Sequence, residues 1–138
     1  MIDINPTNNN QQTIRNPITI SGIGLHSGKK VTMKLVPADV DCGVRFIRTD
    51  KKTDNIIKAI WSNVSETILS TTISNKSLLK ISTIEHLMSA LSGLHVDNLN
   101  IYINASEVPI MDGSSKPFVD LIEEVGVKTQ NKKRKILN

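Results

Sequence analysis

Between residues 83 and 125 the spacing of apolar side chains changes twice, and this constrains the fold more than any other feature of the chain. Ile84, Leu87, Met88 and Leu91 recur at i, i+3, i+4 and i+7, which predicts a helix over about 83–92 with Ser82 as its N-cap and Gly93 as its stop. Leu99, Ile101 and Ile103 then alternate with Asn98, Asn100, Tyr102 and Asn104, the pattern of a strand with one buried face. Helical spacing returns at Phe118, Leu121, Ile122 and Val125, with Pro117 in the first turn and Gly126 behind it, predicting a second helix over 116–125. Upstream, Val31, Met33 and Leu35 predict a strand ending at Pro37, and residues 44–48 read as its hairpin partner across the turn 39–43. Shorter strands are expected near 56–60 and 69–73. Strands followed by helix, strand and helix suit an α+β two-layer sandwich, a mostly antiparallel sheet carrying two helices on one face.

The chain divides by composition. Residues 1–11 are polar and asparagine-rich and are expected to be disordered, 12–127 form the folded domain, and 128–138 read as a basic linker. The formal net charge is +4, but Lys128, Lys132, Lys133, Arg134 and Lys135 stand together without an acidic neighbour. Without those five cations the remainder sits at −1, so the basicity belongs to the tail and not to a folded surface. With only Phe46, Trp61, Tyr102 and Phe118 as scattered aromatics, no base-stacking platform is visible, and nucleic acid is not the expected partner. No run approaches the roughly 18 apolar residues of a membrane span, and the N-terminus lacks the apolar core of a secretory signal, so a cytoplasmic location is expected. The single Cys42 excludes an internal disulfide and a cysteine-built zinc cage.

Chemistry concentrates at few positions. Glu85 and His86 fall in the first turn of the first predicted helix, with His86 on the small-residue side opposite Leu87 and Leu91. Residues 82–85 also match a capping box, in which Glu85 would return a hydrogen bond to the cap, so capping and chemistry compete for one side chain. His26 lies in a glycine-flanked loop, where it either approaches a ligand or bonds to backbone. Residues 107–115 read as a turn-and-cap connection, and His95, just past the helix, as a complement to its dipole. No helical H-E-x-x-H zinc motif is present.

Taken together, QQTIRNPITISGIGLHSGKKVTMKLVPA, GVRFIRTD, LSTTI, ISTIEHLMSALSGLHVDNLNIYI and EVPIMDGSSKPFVDLI resemble the N-terminal domain of the UDP-3-O-acyl-N-acetylglucosamine deacetylases of lipid A biosynthesis. The resemblance implies a domain akin to one of a small-subunit ribosomal protein, within a two-domain zinc hydrolase that removes the N-acetyl group from a UDP-linked acylated glucosamine. It implies that Glu85 is the general base, that His86 is one zinc ligand, and that His26, Leu69 and Ser70 lie near metal and substrate. The family draws two further ligands from an H-x-x-x-D segment in its second domain. Four residues on from His26, His86 and His95 stand Lys30, Ala90 and Leu99, so this chain does not contain it. The zinc site is therefore expected to be incomplete and the chain inactive alone, with residues 128–138 leading into a second domain supplied in cis or in trans. Two other readings stay open: one half of a two-chain enzyme, or a non-catalytic binding module that keeps the fold.

Overall fold

The computed structural model describes residues 9–135; most of the asparagine-rich tract, and the last three residues of the basic tail, lie outside that range. The described chain is α+β. A five-stranded sheet is built from β2 (Ile18–Ile23), β3 (Lys30–Pro37), β4 (Val44–Arg48), β5 (Ile56–Lys58) and β9 (Leu99–Ile103), in the order β2-β3-β9-β4-β5. A second sheet of three short strands joins β6 (Val64–Glu66), β7 (Thr72–Ser74) and β8 (Lys80–Ile81). The helices are α1 (Glu85–Gly93) and α2 (Lys116–Val125), and β1 (Asn10–Ile14) pairs with β10 (Val127–Lys133) as a separate ribbon.

β9 occupies the centre of the large sheet because its inward face, Leu99, Ile101 and Ile103, is wholly apolar and wholly buried. It pairs antiparallel to β3, with Leu35 opposite Ile101, and parallel to β4, with Phe46 opposite the same Ile101. This corrects one expectation. The turn at 39–43 exists, with Asp41 and Gly43 at positive φ, but it carries the chain past a vacant strand position that β9 later fills. β4 therefore meets β9 and β5, and not β3. One core unites the sheet's inward residues with Leu87, Ala90 and Leu91 of α1 and Phe118 and Ile122 of α2, which puts both helices on one face. Lys34 and Tyr102 emerge on the other.

Arg48 fastens the small sheet to the large one. Its buried guanidinium grips the Asp50 carboxylate and donates through Nη1 to the Lys80 carbonyl of β8 at 3.0 Å. The expected strand near 69–73 forms slightly later, as β7, leaving Leu69 and Ser70 in the loop before it. β5 ends at Lys58, and a single 3-10 turn, Trp61–Asn63, follows.

The basic segment, read as a linker, is a strand through Lys133. Its attachment is polar. Asn98 is 1% exposed; its Oδ1 accepts from the Gly43 N–H, and its Nδ2 donates to Gln11 Oε1 and Gln130 Oε1. Arg134 adds its Nε–H, shared between both Asp97 carboxylate oxygens. Asn98→Ala removes the acceptor of the half-buried Gly43 N–H and a donor to the side-chain carbonyls of Gln11 and Gln130, so it is expected to cost about 2–4 kcal/mol in urea denaturation. Amide protection should fall first along β1 and β10; unchanged protection there would contradict the assignment of Asn98 as the hub.

Candidate functional site

The segment entering α1 departs from the capping box. Ser82 forms a parallel bridge with Glu107, donating its N–H to the Ser106 carbonyl at 2.9 Å and accepting from the Val108 N–H at 3.1 Å. Thr83 then adopts φ 60, the left-handed region that a β-branched residue rarely enters, and its buried hydroxyl has no partner among the described residues. The helix begins at Glu85, capped by Ile84 with no side-chain hydrogen bond, and it includes Gly93. Ser82 is thus too far upstream to cap, because Ser106 and Val108 already claim its backbone.

Glu85 is consequently released from helix capping. Its Oε2 accepts from the Thr71 N–H at 2.7 Å, and the Thr71 carbonyl accepts from the Ile84 N–H at 3.3 Å. Its Oε1 has no hydrogen-bond partner among the described residues. His86 is half-buried, and neither ring nitrogen is hydrogen-bonded to a described residue. A carboxylate oxygen and an imidazole, adjacent and uncommitted, stand at one helix mouth.

His26 comes together with the consecutive Leu69 and Ser70 although it lies far from them in sequence. They line one cleft of about 290 Å³ with Glu66, Thr72, Lys80, Ser82 and Ser106. Glu85 reaches this cleft's wall through Thr71, which sits between two lining residues. His86 does not line it. His95 is exposed beyond α1, and its carbonyl is bound by Gln12 and Arg134. Cys42 is half-exposed and donates to Asn100.

One residue here was not legible as functional. Glu107 is 3% exposed, and its two carboxylate oxygens accept from the backbone N–H groups of His26 at 3.0 Å and Ser27 at 2.9 Å. Burial pushes its carboxyl up, but those two N–H groups and the Ser27 hydroxyl outweigh burial and hold it below its ordinary value of 4.5. The approach is close: a Cβ on Gly24 would lie 2.7 Å from Glu107 Cδ, and one on Gly22 would lie 2.8 Å from Pro109 Cβ. Gly22 and Gly24 are thus explained by the side chains of the segment 107–111, whereas Gly28 answers to its positive φ of 66. Since folding depresses this pKa, the stabilisation is complete above about pH 4.5 and is lost as pH falls through the lower folded value. The stability gap between wild type and Glu107→Gln, expected to be about 1.5–3 kcal/mol at pH 7, should close as pH falls toward 3. A gap that persists at pH 3 would overturn the charge-based account. Farther along the loop, Asp112 accepts from the Ser114 N–H and hydroxyl, a structural turn.

Among the described residues, no group of three or more His, Cys, Asp or Glu side chains gathers in a way that could hold a metal ion. His86 fits as a single donor and the described residues do not complete a site around it. No described helix is long and apolar enough to cross a membrane.

Residues 11–138 match the family profile of UDP-3-O-acyl N-acetylglycosamine deacetylase. The chain belongs to this family. Its similarity to UDP-3-O-acyl-N-acetylglucosamine deacetylases is 51% identity over 127 residues for those of Syntrophotalea carbinolica and Hahella chejuensis, and 45% for that of Syntrophus aciditrophicus. Each alignment covers 92% of this chain and 40–42% of the relative. The chain therefore spans about two-fifths of the length of these family members. The stretches holding His26, Glu85, His86 and Glu107 all fall within the matched region.

Proposed function

We propose that this chain forms one wall of a deacetylase site that hydrolyses the N-acetyl amide of a UDP-linked, 3-O-acylated glucosamine in lipid A synthesis. The observation that carries this reading is the state of Glu85 and His86: both are unoccupied by the helix cap, in a chain 51% identical to deacetylases. His86 is one ligand of a zinc ion whose remaining ligands come from a second domain, in cis or in trans, since a catalytic zinc takes three protein ligands and keeps one position open. When bound, the ion lowers the pKa of water and polarises the amide carbonyl. The chain's own residues do the rest. Glu85 Oε1 takes the proton of the attacking water, the carbon–nitrogen bond breaks, and that proton goes to the leaving amine as acetate departs. Oε2 meanwhile stays on the Thr71 N–H, which fixes the carboxylate and keeps Leu69 and Ser70 against the cleft. His26 lines the same cleft, and there it contacts substrate. The reaction takes place in the cytoplasm.

The test is acetate release from the UDP-linked substrate, with zinc, by this chain alone and with the second half of the Hahella chejuensis relative added in trans. Turnover is expected only in the mixture. Turnover by the isolated chain at the rate of its relatives would refute the incomplete-site reading. Binding without turnover in any mixture would leave a binding module.

A further inference from the structure

Resting on that reading of the site, we propose that Glu107 is a positioning residue that holds His26 at a fixed place relative to the helix mouth bearing Glu85 and His86. The argument is one of connectivity. The Glu107 side chain binds the loop of His26 through two backbone N–H groups. The Glu107 main chain stands opposite Ser82 in a parallel bridge, whose two hydrogen bonds are made by the residues flanking Glu107: the Ser106 carbonyl accepts from the Ser82 N–H, and the Val108 N–H donates to the Ser82 carbonyl. From Ser82 the chain runs through the left-handed Thr83 directly into Glu85. Glu107 thus stands where the two segments that carry the candidate chemistry meet: its side chain holds one, and its immediate main-chain neighbours hold the other.

The His26 loop has little else to hold it. His26, Ser27 and Gly28 are all exposed, and the loop's own bonds are the short closure of Gly24 with Gly28 and Lys29 and the Lys29 N–H donated to the Ser27 hydroxyl at 3.2 Å, none of which involves His26. Against that, a carboxylate that is 3% exposed is an expensive group to place inside, tolerated only where its acceptors are used. Both of its oxygens are used on consecutive N–H groups of one loop. The glycine at 24 is the matching concession, because any side chain there would strike the carboxylate. Charge, burial and the missing Cβ all converge on one contact, and what that contact fixes is the position of His26 and nothing in the sheet.

The test is amide hydrogen exchange on the full chain. In the wild type the His26 and Ser27 amides are expected to be protected despite their exposure. Glu107→Gln turns an NH₂ toward one of those N–H groups, and exchange at the two amides should accelerate roughly tenfold to a hundredfold, as expected when charge-assisted bonds are lost. Amides in β3 and β9 should be unchanged. Gly24→Ala leaves the carboxylate intact but presses on it, and should release the same two amides; its His26 ring resonances should move with those of Glu107→Gln. Equal acceleration throughout the sheet, or protection at His26 and Ser27 unchanged in both variants, would overturn the proposal. In the reconstituted turnover assay, Glu107→Gln and His26→Ala should not be additive, since both act through one imidazole. A fully multiplicative loss in the double variant would count against positioning. Exchange reads the contact without any catalysis, so absence of turnover would remove the deacetylase reading and leave the exchange result to decide this one.

Discussion

Replacement of Glu85 by alanine is expected to lower acetate release in the reconstituted enzyme by roughly two to four orders of magnitude, the usual contribution of a positioned general base. Alanine removes two things: the proton acceptor Oε1, and the Oε2 that anchors Thr71. Glu85→Gln separates them. Its amide oxygen can still accept from the Thr71 N–H but has no charge with which to take a proton. Both variants should therefore lose turnover, while only the alanine variant should speed amide exchange at Thr71. The result that sinks the assignment is a glutamine variant with near wild-type kcat, because Glu85 would then serve the loop alone.

Phe46→Ala is the corresponding stress on the fold. Phe46 is fully buried in β4 and lies opposite Ile101 of β9 and Ile57 of β5, both also at 0% exposure. Removing the ring from the middle of three strands should cost about 3–5 kcal/mol, read from the urea midpoint at constant slope. Tyr102→Ala, on the opposite face and 38% exposed, provides the control and should cost far less. A Phe46 variant as stable as the tyrosine variant would mean that β4 does not pack beside β9.

Both helices and the strands β3 and β9 were legible because their periodicity is local and strong. The spacing of Phe118, Leu121, Ile122 and Val125 gives α2 the bounds that the structure shows. What failed depended on neighbours distant in sequence. Ser82 looks like a cap until a segment two dozen residues later claims its backbone. Residues 128–133 have no alternation and read as part of a linker, yet they join Val127 in a strand because β1 offers an edge and Asn98, buried elsewhere, needs Gln130 as a partner. Glu107 stands in a stretch full of turn residues, and nothing in its spacing signals that its carboxylate is inside. No pattern of residues announces that His26, Leu69 and Ser70 line one cleft, because the cleft is assembled from loops distant in sequence.

The late arrival of β9 between two earlier strands has a consequence for biosynthesis. As the polypeptide leaves the ribosome, β3 and β4 are complete and adjacent while their rightful companion has not been translated. A direct hairpin between them would be an off-route pairing that must come apart before residue 99 can enter. Folding of this unit is therefore expected to be slow relative to its size, governed by long-range closure rather than by its quick local turns, and most vulnerable to sticking together during that wait.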